Sequence, residues 1–229
     1  MTVAVTDVLN EVRNLLIDTG PAPRWSDDEL CDYIMDAERS VMAIYPASTA
    51  RRYVLPLQMG SRQVMATNVH QLLTVIRNCD VTGEHPGRAI RLAMREQLDA
   101  FNPDWHTDPP SDIATSYIYD PSETAFYVYP PNTGNGYVDV LYSQIPPHLD
   151  PTQANQNLAV RDIYKTPVID FVLFRAHSKD ADYAGGLGVA GNFLQSFTQF
   201  MGVQTSKVLE NSPNQQSVPP NLQVQGAAK

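Results

Sequence analysis

Apolar residues recur along residues 3–18 at Val5, Val8, Leu9, Val12, Leu15 and Leu16. Steps of three and four put them on one face, which predicts an amphipathic helix with one buried side. Gly20-Pro21 ends it. A second helix over 27–45 has a marked start. Ser26-Asp27-Asp28-Glu29 forms a capping box, in which the Ser26 hydroxyl accepts from the Glu29 amide and the Glu29 carboxylate reaches back. The three acids of its first turn suit the positive end of the helix dipole. Leu30, Ile34, Ala37, Val41 and Ile44 then repeat at helical spacing until Tyr45-Pro46. The two helices and their short Pro-rich joint predict an αα-hairpin.

Between residues 50 and 145 the period changes to that of strands. Arg52–Leu57 and Arg62–Met65 predict a hairpin turning at 58–61, with Pro56 confining the first run to an edge. Gln71–Arg77 is an apolar, partly β-branched run expected in a central strand. Residues 79–88 hold Gly83, Pro86 and Gly87 and read as a loop, and 89–102 as a short helix. Ile113–Tyr119, Ala125–Tyr129 and Tyr137–Tyr142 are further strands, the last two flanking a Pro- and Gly-containing hairpin loop over 130–136. Val138, Val140 and Tyr142 share one face of the last strand.

Two helices follow a Pro- and Gln-rich connector. The first, over 167–180, is expected to start at Thr166 as N-cap with Pro167 at N1. Val168, Ile169, Phe171, Val172, Leu173 and Phe174 make it apolar almost all round, so it must be buried in a bundle or at a subunit interface. The second, over 187–209, carries the stripe Val189, Phe193, Phe197, Phe200 and Met201 behind a glycine-rich approach. After Asn211 neither period nor core-sized apolar set remains, and the Pro content favours an extended chain. The fold class is therefore α+β. An antiparallel bundle of about four helices carries a small, mainly antiparallel sheet inserted at about 50–145. Residues 1–210 form one domain and 211–229 an extended arm.

Charge narrows the function classes. The net charge is −9 over 229 residues, which argues against a surface that grips nucleic acid. Residues 1–50 hold nine acids and three bases, residues 51–110 six acids and seven bases, and residues 111–160 five acids and no base. The tyrosines and phenylalanine of the strands, from Tyr117 to Tyr142, thus lack the cationic groove that base stacking needs, and cross-strand packing explains them better. No run of apolar residues is long enough to span a membrane, and Met1–Leu16, with Asp7 and Glu11, lacks the basic start of a secretory signal. Cys31 and Cys79 fit no metal spacing and read as reduced residues of a cytosolic product.

Candidate chemistry is sparse. Gly186-Leu-Gly188-Val-Ala-Gly191 matches a dinucleotide-binding pattern, but polar residues 178–184 precede it where a buried strand is required. Its glycines are better read as letting two helices approach closely. The histidines His70, His85, His106, His148 and His177 show no ligand spacing. His85 or His106 becomes catalytic only if the fold gathers a serine and an acid around it. Asp180 and Asp182 read as solvating a helix junction.

Several segments resemble tailed-bacteriophage virion proteins that serve as head-to-tail connectors or adaptors. They are Trp25-Ser-Asp-Asp-Glu-Leu-Cys-Asp-Tyr-Ile-Met-Asp-Ala-Glu-Arg39 ahead of Tyr45-Pro46, Phe126-Tyr-Val-Tyr-Pro-Pro131, Val140-Leu-Tyr-Ser-Gln-Ile-Pro146 and the stretch Asp170–Ala184. The resemblance implies a structural protein without catalytic activity or cofactor, sited at the head–tail interface of the virion after synthesis in the host cytoplasm. It implies a homo-oligomeric, dodecameric ring below the portal protein, in contact with a tail or nozzle protein. The ring would continue a channel through which DNA passes without specific binding. Three readings of the residues agree with it. The apolar helix suits packing between protomers, with Phe171, Phe174, Phe193 and Phe197 as the packing residues. An acidic wall lets DNA slide. The uncharged arm orders on assembly, with Pro213, Val218, Pro219, Pro220, Leu222 and Val224 against the portal or a neighbouring protomer. The competing readings are a tail-completion or minor tail protein, and a hydrolase using a loop histidine.

Overall fold

The computed structural model describes residues 3–153, 155–179 and 186–211. Two helices open the chain, α1 (Val5–Leu16) and α2 (Asp27–Ile44). Five strands follow: β1 (Ala50–Pro56), β2 (Gly60–Val64), β3 (Val69–Cys79), β4 (Pro86–Ala89) and β5 (Arg91–Leu92). A short helix, α3 (Arg95–Phe101), leads to β6 (Ser116–Tyr119), β7 (Ala125–Asn132) and β8 (Tyr137–Gln144). Helices α4 (Lys165–Lys179) and α5 (Gly186–Asn211) come last.

The helices gather around α4, which packs against α1, α2 and α5. Their core includes Val8, Val12, Leu30, Ile34, Val172 and Leu173, all under 2% exposed. Ser26 caps α2 as expected, its hydroxyl accepting from the Glu29 amide at 3.2 Å. Only half of the capping box forms. The Glu29 carboxylate instead accepts from the Tyr33 hydroxyl and the Lys179 ammonium, both at 2.6 Å, which ties α2 to the end of α4. The start of α4 also differs from expectation. A 3-10 turn over Asp162–Tyr164 runs into the helix at Lys165, so Thr166 lies inside the helix and does not cap it. Pro167 is still accommodated, because the first turn needs no amide donor.

The middle of the chain departs from the expected architecture. There is not one small sheet inserted in a helix bundle but two four-stranded sheets, ordered β1-β8-β3-β4 and β2-β7-β6-β5. They enclose a second core of Leu57, Leu72, Val75, Phe126, Val128 and Val140. Neither expected hairpin exists. β1 pairs with β8 and β2 with β7, both antiparallel. One two-stranded ribbon therefore bends at residues 57–59 and 133–136 and contributes to both sheets. The amide of Leu57 donates to Gly136 O at 2.8 Å across that bend. Alternating hydrophobicity marks where strands end, but it does not distinguish a turn that reverses the chain from a corner that changes sheet. Val138 and Val140 do face this core, with Tyr142 packed against it, and β1 is an edge strand as Pro56 requires.

Buried amides hold the corners. Gln63, 1% exposed, accepts from the Gln58 amide at 2.5 Å and donates to Gln58 O and Gly60 O. Asn132, fully buried, accepts from the amides of Gly134 and Gly136 and donates to Ser111 O at 2.9 Å. Gly134 has φ +96°, which a side chain would strain, and a Cβ on Gly136 would lie 2.5 Å from Asp112 O. Asn78 on β3 donates to Arg88 O and Ala114 O and accepts from the Ala114 amide, linking one sheet to the edge of the other.

The helices and the sandwich meet at the β1–β8 end. Thr49 and Ser143 hydroxyls lie 2.9 Å apart, and Arg51 donates to Ala159 O at 3.0 Å. Beside them Glu38 of α2 is fully buried and accepts from the Ala159 and Val160 amides. Burial raises its pKa, against the lowering pull of those amides and of Arg51. A raised carboxyl favours the protonated form in the fold. The stability this contributes is present at low pH and is lost as pH climbs through the folded value. Glu38→Gln removes that dependence. Relative to wild type it is expected to gain stability as pH rises above the ordinary glutamate range, read as urea midpoints. A difference independent of pH would contradict the raised pKa.

Candidate functional site

Of the aromatic residues expected at protomer contacts, Phe171, Phe193 and Phe197 pack between α4 and α5 of a single chain, and Phe174 meets Phe171 on α4 itself. Phe171 meets Phe197 with ring centroids 5.3 Å apart and Phe174 at 5.7 Å, and His177 stacks on Phe193 at 5.7 Å. Phe197 is 3% exposed, whereas Phe171, Phe174 and Phe193 are half-buried. The outer side of α5 is unusual for a helix facing solvent, since no charged residue occurs from Gly186 to Ser206. The expectation that its glycines admit another helix is not met within the chain. A Cβ on Gly188 or Gly191 would touch nothing within 4 Å. The six arm residues from Pro213 to Val224 lie outside the described residues, as do Asp180, Asp182 and Gly185.

The dinucleotide pattern at 186–191 opens α5, and the nearest described element before it is α4, a helix and not a strand. The histidines are not drawn together. His85 bonds Asp80 at 2.7 Å in the loop after β3, and this partner holds the Asp80 carboxyl well below its usual range. His106 sits on the other sheet. Its Nδ1 is 2.8 Å from the Ser61 hydroxyl, and its ring stacks on Trp105 at 3.6 Å. A serine does meet a histidine here, but no carboxylate bonds His106 among the described residues, so the third group of a triad is missing. Burial pushes the Cys31 thiol up to about 11, which leaves it a packed apolar group and not a nucleophile. No group of three or more His, Cys, Asp or Glu that could hold a metal ion occurs among the described residues. None of their helices is long and apolar enough to cross a membrane.

Charge on the surface is sorted more finely than the totals suggest. On α2, Asp27 pairs with Arg13, Glu29 with Lys179 and Asp36 with Arg175. Asp28 and Asp32, one turn apart and exposed, have neither side-chain hydrogen bond nor ion pair among the described residues. On the sandwich, Arg52 and Arg77 converge on Asp139, which is 1% exposed. The Arg52 hydrogen bond, opposed by burial, sets the Asp139 carboxyl below its usual range. Arg95 pairs with Asp99. Arg88 of β4 and Arg91 of β5 are exposed and unpaired among the described residues, and both line a cleft of about 530 Å³ with Gln97, Thr115 and Ser116. A larger groove of about 670 Å³, lined by Tyr53, Leu55, Met65, Leu72 and Tyr142, opens at the mouth of the sandwich. Sequence reasoning missed the unpaired set, because pairing is a property of neighbours in space.

Among the described residues the surface carries unpaired charges, a helix face without charge and apolar clefts. Residues 2–218 match the SU10 adaptor protein family. The chain belongs to that family, a family of tailed-phage head-to-tail adaptors, and is a structural component of the head–tail junction of the virion. No curated protein matches it.

Proposed function

We propose that the chain assembles into a closed ring of identical copies, a dodecamer, between the portal and the tail or nozzle, and that the ring continues the channel for DNA. The family match across nearly the whole chain carries this reading. The charge of −9 supports it, because an acidic wall repels the phosphate backbone and lets it slide. In this reading residues 1–210 act as one adaptor domain. The half-buried Phe171, Phe174 and Phe193 offer their free surface to a neighbouring copy, with α5 held in place by Phe197. The arm from 211 to 229, with Val218, Leu222, Val224 and its prolines, orders against the portal or a neighbouring protomer.

Electron microscopy of the purified chain mixed with portal particles tests the proposal. Rings stacked coaxially on portals are expected. Material that binds only to isolated tails would identify a tail-completion protein instead. Removing residues 212–229 is expected to leave melting unchanged and to weaken attachment to portals. Equal attachment of the shortened chain would assign the arm no role.

A further inference from the structure

A cyclic ring needs a heterologous interface, in which two different patches of the same chain are complementary. Resting on the ring reading, we infer that the α1–α2 corner of one copy docks on the β4–β5 rim of the next. Asp28 and Asp32 face Arg88 and Arg91 in that contact, and Ile17 lies against Leu92.

The rim is one half of the match. Ile90 is buried between the sheets, and its amide donates to Ile76 O at 3.2 Å while the next amide, of Arg91, donates to Thr115 O. This passage from one sheet to the other sets Arg88 and Arg91 on the same cleft. Neither has a side-chain partner among the described residues, although the chain carries 25 acids against 16 bases. Beside them Leu92 and Met94 are each 67% exposed, and α3 buries no residue. Guanidinium groups set among large exposed apolar side chains are the composition of a protein interface. A nucleic-acid backbone would use the arginines and leave Leu92 and Met94 in water.

The corner is the other half. Asp28 and Asp32 lie about 6 Å apart on the free side of α2, within the reach of two arginines three residues apart on an extended chain. Ile17 ends α1 with φ 56° and is 89% exposed. It breaks two local rules at once. A β-branched residue is strained in the left-handed region, and a large apolar one is out of place in water. Glycine is the ordinary residue at this position. Arg13 bonds Asp18, the residue after Ile17, and Asp27, the residue before Asp28, which ties the end of α1 to the start of α2. One patch thus carries free carboxylates and an exposed isoleucine. The other carries free guanidinium groups and an exposed leucine.

The test is a charge exchange in the full chain, read as copies bound per portal particle by native mass spectrometry. Arg88→Glu with Arg91→Glu is expected to reduce ring occupancy at least tenfold, as is Asp28→Arg with Asp32→Arg. A one-to-one mixture of these two variants can alternate around an even-numbered ring with every interface complementary, and the fourfold variant restores every interface within one chain, so both are expected to recover the ring. Circular dichroism of the arginine variant is expected to match wild type, because neither guanidinium has a partner to lose among the described residues. The aspartate variant gives up the favourable charge of Asp28 at the start of α2, so its occupancy is read well below its own melting temperature. Ile17→Gly separates folding from assembly, raising the melting temperature while lowering occupancy. Rings that form equally well with the reversed arginines overturn this interface and leave the ring reading standing. Wild-type chain that never rings on portals overturns both. Binding of a duplex DNA fragment that is lost with the reversed arginines while the ring persists assigns the rim to nucleic acid and overturns the inference.

Discussion

Trp105→Ala is expected to lower unfolding free energy by about 3–5 kcal/mol, the range for deleting a buried aromatic side chain. Trp105 is 1% exposed and lies on the outer face of the second sheet, with the Tyr127 and Tyr129 rings edge-on at 6.1 and 6.3 Å. Its indole N–H donates to Asp99 at 2.8 Å. The excursion from α3 to β6 has no other large buried side chain among residues 95–113, so this one ring attaches it to the sheet. Trp105→Phe keeps most of the packing and loses the Asp99 hydrogen bond, which is expected to cost about 1–2 kcal/mol. Urea unfolding followed by far-ultraviolet circular dichroism measures both. A loss under about 1 kcal/mol for Trp105→Ala would show that the excursion is not anchored there.

Asn132→Ala is expected to cost about 3 kcal/mol although it removes little volume. The buried amide satisfies the Gly134 and Gly136 amides and the Ser111 carbonyl, and truncation leaves those groups without partners. Asn132→Asp keeps the acceptor but turns a second oxygen toward Ser111 O, so it falls between the two. The measurement is again the urea midpoint. Near-neutral behaviour of Asn132→Ala would mean that water replaces the side chain at the bend, and that the corner is held by the sheet cores alone.

The helical part was legible because each helix carries its own evidence. The stripes of α1 and α2, and the Ser26 cap, are local patterns that survive into the fold. Most strands were legible as segments for the same reason, but β4 and β5 lie where a loop over 79–88 and a helix over 89–102 are expected, because both are short, exposed runs with no alternation of their own. The pairing of the strands was not legible. Residues 58–61 and 130–136 look like hairpin turns to any local rule, and the chain turns corners between sheets there. The half-formed capping box shows the same limit at one residue. Glu29 had a local partner within reach, and Lys179, 150 positions away, took its carboxylate.

The candidate surfaces divide similarly. That the chain is an acidic, association-prone protein with phage-adaptor motifs could be read from composition and from four short segments. Which charges remain free could not. Arg52, Arg77 and Arg95 are spent inside the chain and Arg88 and Arg91 are not, yet the five look alike in the sequence.

Local patterning alone settled where α1, α2, α4, α5 and most strand segments lie, how the net charge falls along the chain, and the family resemblance. Packing across long sequence distances settled that the middle is a two-sheet sandwich, which glycines face open space, and which polar groups find partners. The division follows from range. Backbone propensity and periodic burial act within a few residues, whereas sheet order and ion pairing depend on encounters whose outcome every other part of the chain competes to decide.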